Sequence, residues 1–163
     1  STKVRLVLRK PGTTAVEGWN SAYRYMESCG GADLYMLGAD DLVWHEGWVA
    51  GALRVAALTG AQVIGLNDGK TDLAEFAAHY MARAEFCAGE LGGHMALPQY
   101  RAWWFDREVT QRAMRMGVYA PAWDILIEHR HPMWQMAEED DTYRRGMPYR
   151  DEDRALYEAW RRS

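Results

Sequence analysis

The sequence predicts one α/β domain, in which a mostly parallel sheet carries helices on both faces. Strand-like and helix-like patterns alternate along the chain, which favours parallel strands joined by helices. The 163 residues suit a single domain, and no internal repeat or linker divides residues 1–163. Hydrophobic residues make up 48% and charged residues 26%, values typical of globular proteins and too apolar for a disordered chain.

The first third of the chain predicts a strand, a helix and a second strand. Residues 3–9 alternate basic and apolar side chains, as a half-buried strand does. Thr14 and Glu17 have the spacing of a capping box, so we expect a helix over 15–28. The apolar run at 33–37 follows a glycine turn and predicts a strand buried on both faces.

The middle of the chain predicts a helix followed by two strands. Residues 46–58 have helical periodicity, and Gly60 is placed to end that helix. Its predicted apolar stripe consists of Val49, Leu53, Ala56 and Ala57. Residues 61–66 predict a buried strand. The segment 71–93 is ambiguous, and we favour a strand over 79–86 within it.

The last third predicts a helix, a strand and a terminal helix. Residues 106–116 are strongly amphipathic, and 123–131 read as a strand. Residues 151–162 begin with acidic and end with basic side chains, which complements the helix macrodipole. We expect Leu156 and Trp160 to face the core from this helix.

Charge and cysteine content narrow the functional classes. The net charge is −4 and there is no basic tract, so we expect no nucleic-acid partner. No apolar stretch approaches the roughly 20 residues of a transmembrane helix. The two cysteines, Cys29 and Cys87, are widely separated, which argues against a disulfide framework and favours a cytoplasmic location.

Two adjacent acids, Asp40 and Asp41, follow the predicted strand at 33–37. In α/β sheets, ligands collect beyond the carboxyl ends of strands. Two neighbouring carboxylates there suit a hard divalent cation bound to phosphate oxygens, such as Mg²⁺ or Mn²⁺. The alternative is an aspartate-rich turn that caps the next helix.

Two histidines close the last predicted strand. In an extended chain His129 and His131 share one face, and Pro132 ends the strand directly after them. We favour His131 as a metal ligand and a structural role for His129. A histidine with a carboxylate favours Mn²⁺ over Ca²⁺. No role is assigned to the remaining histidines, which are His45, His79 and His94.

A third candidate group surrounds the start of the helix at 106–116. Asp106 shares the apolar face of that helix, whereas Glu108 is placed to pair outward with Arg112. Asp106 is therefore the inward acid and a candidate general base, with a plain helix N-cap as the alternative. Trp103 and Trp104 could stack on the ring of an acceptor.

Four short segments, taken in order, carry a resemblance to a known family. They are Gly-Ala-Asp-Asp at 38–41, Gly-Trp at 47–48, Asp-Arg-Glu at 106–108 and His-Arg-His-Pro at 129–132. Their order resembles that of the GT-A type glycosyltransferases, specifically the inverting family-two enzymes, over residues 12–143. The chain begins after the first strands of that family, so the resemblance implies a GT-A-like domain truncated at the amino end.

The resemblance implies a reaction and a role for each matching residue. Sugar would pass from a nucleotide-sugar donor to a carbohydrate or other hydroxyl acceptor, with Asp106 as general base. Asp41 matches the last acid of the family's Asp-any-Asp motif, which holds the metal, and His131 would complete the Mn²⁺ or Mg²⁺ site with His129 as the fallback. Ala39 occupies the motif's first position, so Asp40 would make the donor contact.

Two other functions remain open on the sequence. The chain could be a carbohydrate-binding relative that kept the fold without catalysis, which the substitution at Ala39 favours. It could also be a metal-dependent phosphohydrolase that uses Asp40, Asp41, His129 and His131. A transferase needs both a metal and an acceptor, which distinguishes it from either alternative.

Overall fold

The computed structural model describes residues 13–163, apart from the side chain of Thr142. The strand predicted over 3–9 lies outside these residues. The strands are β1 (Leu34–Met36), β2 (Leu42–Trp44), β3 (Val63–Asn67), β4 (His79–Arg83) and β5 (Tyr119–His129). The helices are α1 (Ala15–Ser28), α2 (Trp48–Thr59), α3 (Ala84–Gly89), α4 (Phe105–Arg115), α5 (Asp141–Gly146) and α6 (Arg150–Arg162). Short 3₁₀ turns lie at Pro132–Trp134 and Met147–Tyr149.

The five described strands form one mixed sheet in the order β1-β4-β3-β5-β2. Only β3 and β5 pair in parallel, whereas β1 with β4, β3 with β4 and β2 with β5 are antiparallel. The prediction of an α/β fold is confirmed, but that of a mostly parallel sheet is wrong. A parallel pair needs a crossover element, and residues 68–78 return the chain from β3 to β4 without a helix.

Helices cover both faces of the sheet, as predicted. On one face, α1, α4 and α6 pack over a core that includes Val63, Tyr80 and Val109. On the other face, α2 packs over Ile64 and Leu66. Neighbouring strand residues therefore point into different cores, and β3 is buried on both sides over its first four positions.

Helix α1 begins where its local sequence predicts. The Thr14 side chain accepts a hydrogen bond from the Glu17 N–H, and the Glu17 carboxylate accepts one from the Thr14 N–H. The capping box is therefore complete. The strand predicted at 33–37 is confirmed in part as β1, but only Tyr35 and Leu37 are buried, and Leu34 and Met36 remain partly exposed.

Helix α2, predicted over 46–58, spans 48–59, and of its predicted apolar stripe only Ala56 is buried. Its buried residues are Gly51, Ala52 and Ala56, while the predicted stripe residues Val49 and Leu53 are each 45% exposed. A Cβ atom on Gly51 would overlap the Ile125 side chain of β5. The helix thus packs through its smallest side chains, which allow close approach to the sheet.

The remaining elements follow the predictions with shifted limits. The strand favoured over 79–86 forms only over 79–83, and α3 follows it. The last strand begins at Tyr119 rather than at 123. In α6 the buried side chains are Asp153 and Tyr157, and Leu156, predicted to face the core, is 40% exposed. No helix among residues 13–163 has the length and apolarity needed to cross a membrane.

Candidate functional site

One cleft of about 800 Å³ opens beside the ends of β1, β3 and β5. Its volume lies in the range of small-molecule binding sites. Every site residue predicted from the sequence lines this cleft: Asp40, Asp41, Trp103, Trp104, Asp106 and His131. The residues predicted for metal binding and the residue predicted as general base therefore line the same cleft.

Asp41, His129 and His131 form what we call the cleft group. Their ligand atoms all lie within 4.8 Å of one another. Asp41 directly precedes β2, whose antiparallel register pairs Leu42 with His129, and this pairing brings Asp41 Oδ2 to 3.2 Å from His129 Nε2. His131 Nδ1 accepts a hydrogen bond from the Met133 N–H, which leaves its Nε2 to face a ligand.

A second set, which we call the inner group, consists of Asp68, His79 and His129. Asp68 follows β3 and His79 begins β4, and the register that pairs Leu66 with His79 brings them together. His129 Nδ1 lies 3.2 Å from His79 Nε2 and 3.8 Å from Asp68 Oδ2. Asp68 was not among the predicted site residues, and His79 was assigned no role. Their shared position at strand ends was the available signal.

Of the three histidines in these two groups, His129 is the one whose pKa is raised, so it carries the positive charge. Burial alone would lower the pKa of His129, but its hydrogen bonds to Asp41 and Asp68 prevail and raise it to about 9. Burial, with the His129 charge, lowers the pKa of His79 to about 4, and the same two causes lower that of His131. Without a metal, His129 is therefore an imidazolium flanked by neutral histidines.

The two carboxylates of this network remain ionised. Burial would raise the pKa of Asp41, but the hydrogen bond from His129 and its charge outweigh it and hold the pKa below its ordinary value. Burial likewise opposes ionisation of Asp68, yet hydrogen bonds from His129 and Thr71 keep its pKa far below normal. Asp41 Oδ1 is buried and has no hydrogen-bond partner, so this oxygen is available for a cation.

Asp106 lies in the first turn of α4 rather than at the cap. The cap residue is Trp104, whose φ of 66° places it in the left-handed region. The N-cap alternative for Asp106 is therefore excluded. Burial raises the pKa of its carboxyl to about 6, although the N–H and charge of Arg107 pull in the opposite direction. At neutral pH Asp106 is an ionised carboxylate with greater basicity than an exposed one.

Glu108 pairs with Arg112 at 2.6 Å, as predicted, but the prediction that it faces outward is wrong. Its side chain is 1% exposed and also accepts a hydrogen bond from the Tyr100 hydroxyl. Tyr100 supplies the second partner that makes burial of this charge tolerable. Glu108 is thus part of the core, which leaves Asp106 as the acid of α4 that lines the cleft.

The two tryptophans differ in their surroundings. The Trp103 ring lies 6.0 Å from the His131 ring, and its Nε1 donates a hydrogen bond to the Gly146 carbonyl. Trp104 stacks on Tyr157 with ring centroids 5.4 Å apart. Trp103 is therefore an aromatic wall beside the cleft group, whereas one face of Trp104 is already occupied by α6.

Comparisons of this chain with models of protein families, with curated proteins and with solved structures each find no match. The described fold and site define an α/β protein whose cleft combines a carboxylate–histidine cluster with a separate basic carboxylate.

The raised pKa of Asp106 predicts that Asp106→Asn stabilises the fold at neutral pH. In the unfolded chain this carboxyl ionises near 3.8, but in the folded protein only near 6. Between these values the folded state holds the proton more tightly, so this group's contribution to stability falls as pH rises and is lost above about 6. The variant should therefore gain about 1–3 kcal/mol at pH 7.5 and almost nothing at pH 3.5.

Urea unfolding at the two pH values measures this difference. Asp124→Asn is the matched control because Asp124 is exposed on β5. An equal gain at both pH values, or a loss at pH 7.5, would contradict the assignment of a desolvated Asp106.

Proposed function

We propose that the protein is a metal-dependent glycosyltransferase that moves a sugar from a nucleotide-diphosphate donor to an acceptor hydroxyl in one inverting displacement. The observation that carries this proposal is the shared cleft. It combines cation ligands at Asp41 and His131 with a basic carboxylate at Asp106. A displacement at a sugar carbon needs both functions, since charge leaves on the diphosphate while a proton leaves the acceptor.

The residues of the cleft group fit a divalent cation. Asp41 Oδ1 lacks a hydrogen-bond partner, and the His131 ring lines the same cleft with a nitrogen within 4.8 Å of an Asp41 oxygen. Asp41 and His131 would hold Mn²⁺, or Mg²⁺, and the mixed carboxylate and imidazole set favours Mn²⁺ of the two. The cation, when bound, would supply positive charge for the departing diphosphate.

The other residues of the cleft act on the two substrates. Asp106 removes the proton of the acceptor hydroxyl, and its raised basicity suits that step. Trp103 stacks on the acceptor ring beside His131, and Trp104 extends this wall. Asp40, exposed at the cleft, contacts the donor. We place the reaction in the cytoplasm, which the two free cysteines support.

The proposal predicts that UDP or GDP binds only with Mn²⁺ and that Asp41→Ala abolishes this binding. Loss of a residue that only orients a metal ligand costs 10–100-fold in affinity, so loss of Asp41 itself should cost at least about 100-fold. Calorimetric titration of each nucleotide, with Mn²⁺ or with EDTA, measures the effect. Asp124→Ala, a change to an exposed acid outside the cleft, is the control.

Two outcomes would replace the proposal. Sugar binding that is unaffected by EDTA, with no nucleotide binding, would indicate a carbohydrate-binding relative without catalysis. Release of phosphate from p-nitrophenyl phosphate with Mn²⁺ and no acceptor would indicate a phosphohydrolase.

A further inference from the structure

The inner group lies at one edge of the sheet, where three neighbouring strands meet. Asp68 follows the end of β3, His79 begins the antiparallel β4, and His129 ends β5. Asp68 and His79 are nearly inaccessible, at 1% and 5% exposure. His79 and His129 are therefore held by strand pairing, and Asp68, the first residue after β3, is held by hydrogen bonds from Lys70 and Thr71. This rigidity favours a defined ligand geometry.

His129 has the surroundings of a metal-ligating histidine. Its Nδ1 faces His79 Nε2 at 3.2 Å and Asp68 Oδ2 at 3.8 Å, and its Nε2 lies 3.2 Å from Asp41 Oδ2. In metal sites, one ring nitrogen of a histidine binds the ion and the other donates its N–H to a carboxylate. Asp41 occupies the place of that carboxylate.

The charges around His129 favour a divalent cation. Asp41 and Asp68 both face this ring, and among the described residues neither forms an ion pair with lysine or arginine. Even a fully protonated His129 supplies one positive charge against two negative ones. A divalent cation that replaces the Nδ1 proton balances the two carboxylates, and the proton passes to solvent.

We propose that Asp68, His79 and His129 form a buried site for Zn²⁺ or a similar first-row transition-metal ion, separate from the cation of the cleft. Two imidazoles and a carboxylate are ligands that Zn²⁺ commonly takes. The site does not depend on the proposed transferase. It also gives His129 a definite role, because His129 would bind the inner ion through one ring nitrogen and orient Asp41 through the other. Asp41 and His131 then remain the ligands of the cleft cation.

The test measures Zn²⁺ binding to the full chain after removal of metals with a chelator. We expect one tightly bound equivalent that survives gel filtration, quantified by elemental analysis, with affinity determined by calorimetry. His79→Gln should weaken this binding at least about 100-fold, because loss of an outer partner alone costs 10–100-fold. His131→Gln should leave the tight equivalent in place. His45→Gln, on an exposed histidine, is the matched control.

Two further measurements keep the test decisive if His79→Gln folds poorly, which circular dichroism would reveal. Asp68→Asn keeps the shape of the side chain and should cause the same loss. Zn²⁺ should also raise the Tm of the metal-free wild type, since an ion that binds only the folded state stabilises it. Absence of a tight equivalent in the wild type would overturn the proposal, as would its loss in His131→Gln with retention in His79→Gln. Zn²⁺ binding without nucleotide binding would support the inner metal site and contradict the proposed transferase function.

Discussion

Asp106→Asn is expected to lower turnover by about 10²–10⁴-fold, which is the usual contribution of a positioned general base. The affinity for the donor should not change. Asparagine has the shape of aspartate but cannot accept the proton of the acceptor hydroxyl. The proposed cation ligands, Asp41 and His131, lie outside α4, directly before β2 and two residues after β5. The loss should therefore fall on kcat, with the calorimetric affinity for UDP or GDP preserved.

The stability expected of Asp106→Asn makes this variant a clean test. Since it should unfold at higher urea concentration than the wild type at pH 7.5, low activity cannot come from a damaged fold. The wild type should also lose kcat/KM as pH falls through about 6, where Asp106 gains its proton. Asp124→Asn controls for removal of a surface charge. Normal turnover in Asp106→Asn would exclude Asp106 as the base.

Elements fixed by local interactions could be predicted from the sequence. The capping box at Thr14 and Glu17 acts within one helical turn, so the start of α1 was predictable. Helix α4 was also predictable, because its apolar and charged residues fall on different faces of the segment itself. Such signals need no knowledge of what the element packs against.

Features that depend on distant residues were not predictable. Helix α2 buries Gly51 where Ile125 of β5 approaches it closely, and nothing in the helix itself shows this. The direction of β4 depends on how residues 68–78 return the chain, which its own apolar pattern does not encode.

The same division holds in the candidate site. Asp41 was found because it follows a predicted strand, and His131 because it lies at the tip of another, where ligands collect. Asp68 and His79 needed the register of β3 with β4, which no single segment reveals. The burial of Glu108 depends on Tyr100, whose hydroxyl reaches it from a loop outside α4.

Asp153→Ala is expected to lower the free energy of unfolding by about 3–5 kcal/mol, which is a large part of the roughly 5–15 kcal/mol typical of a domain. The Asp153 carboxylate is buried in the first turn of α6 and accepts hydrogen bonds from three consecutive backbone N–H groups, those of Arg101, Ala102 and Trp103, at 2.8–3.2 Å. Alanine would remove all three of these part-buried hydrogen bonds, and a hydrogen bond to a charged group is worth about 1.5–3 kcal/mol.

Asp151→Ala is the matched control for this prediction. Asp151 is exposed in the same first turn of α6, so its loss removes only an interaction with the helix dipole, about 0.3–1 kcal/mol. Urea unfolding of both variants separates the two contributions. A cost for Asp153→Ala no larger than that for Asp151→Ala would show that residues 101–103 keep their conformation without Asp153.

The segment that Asp153 holds ends at Trp103, directly before α4. Asp153 therefore connects the terminal helix to the wall of the cleft. The stability of α6 and the position of Trp103 should therefore change together.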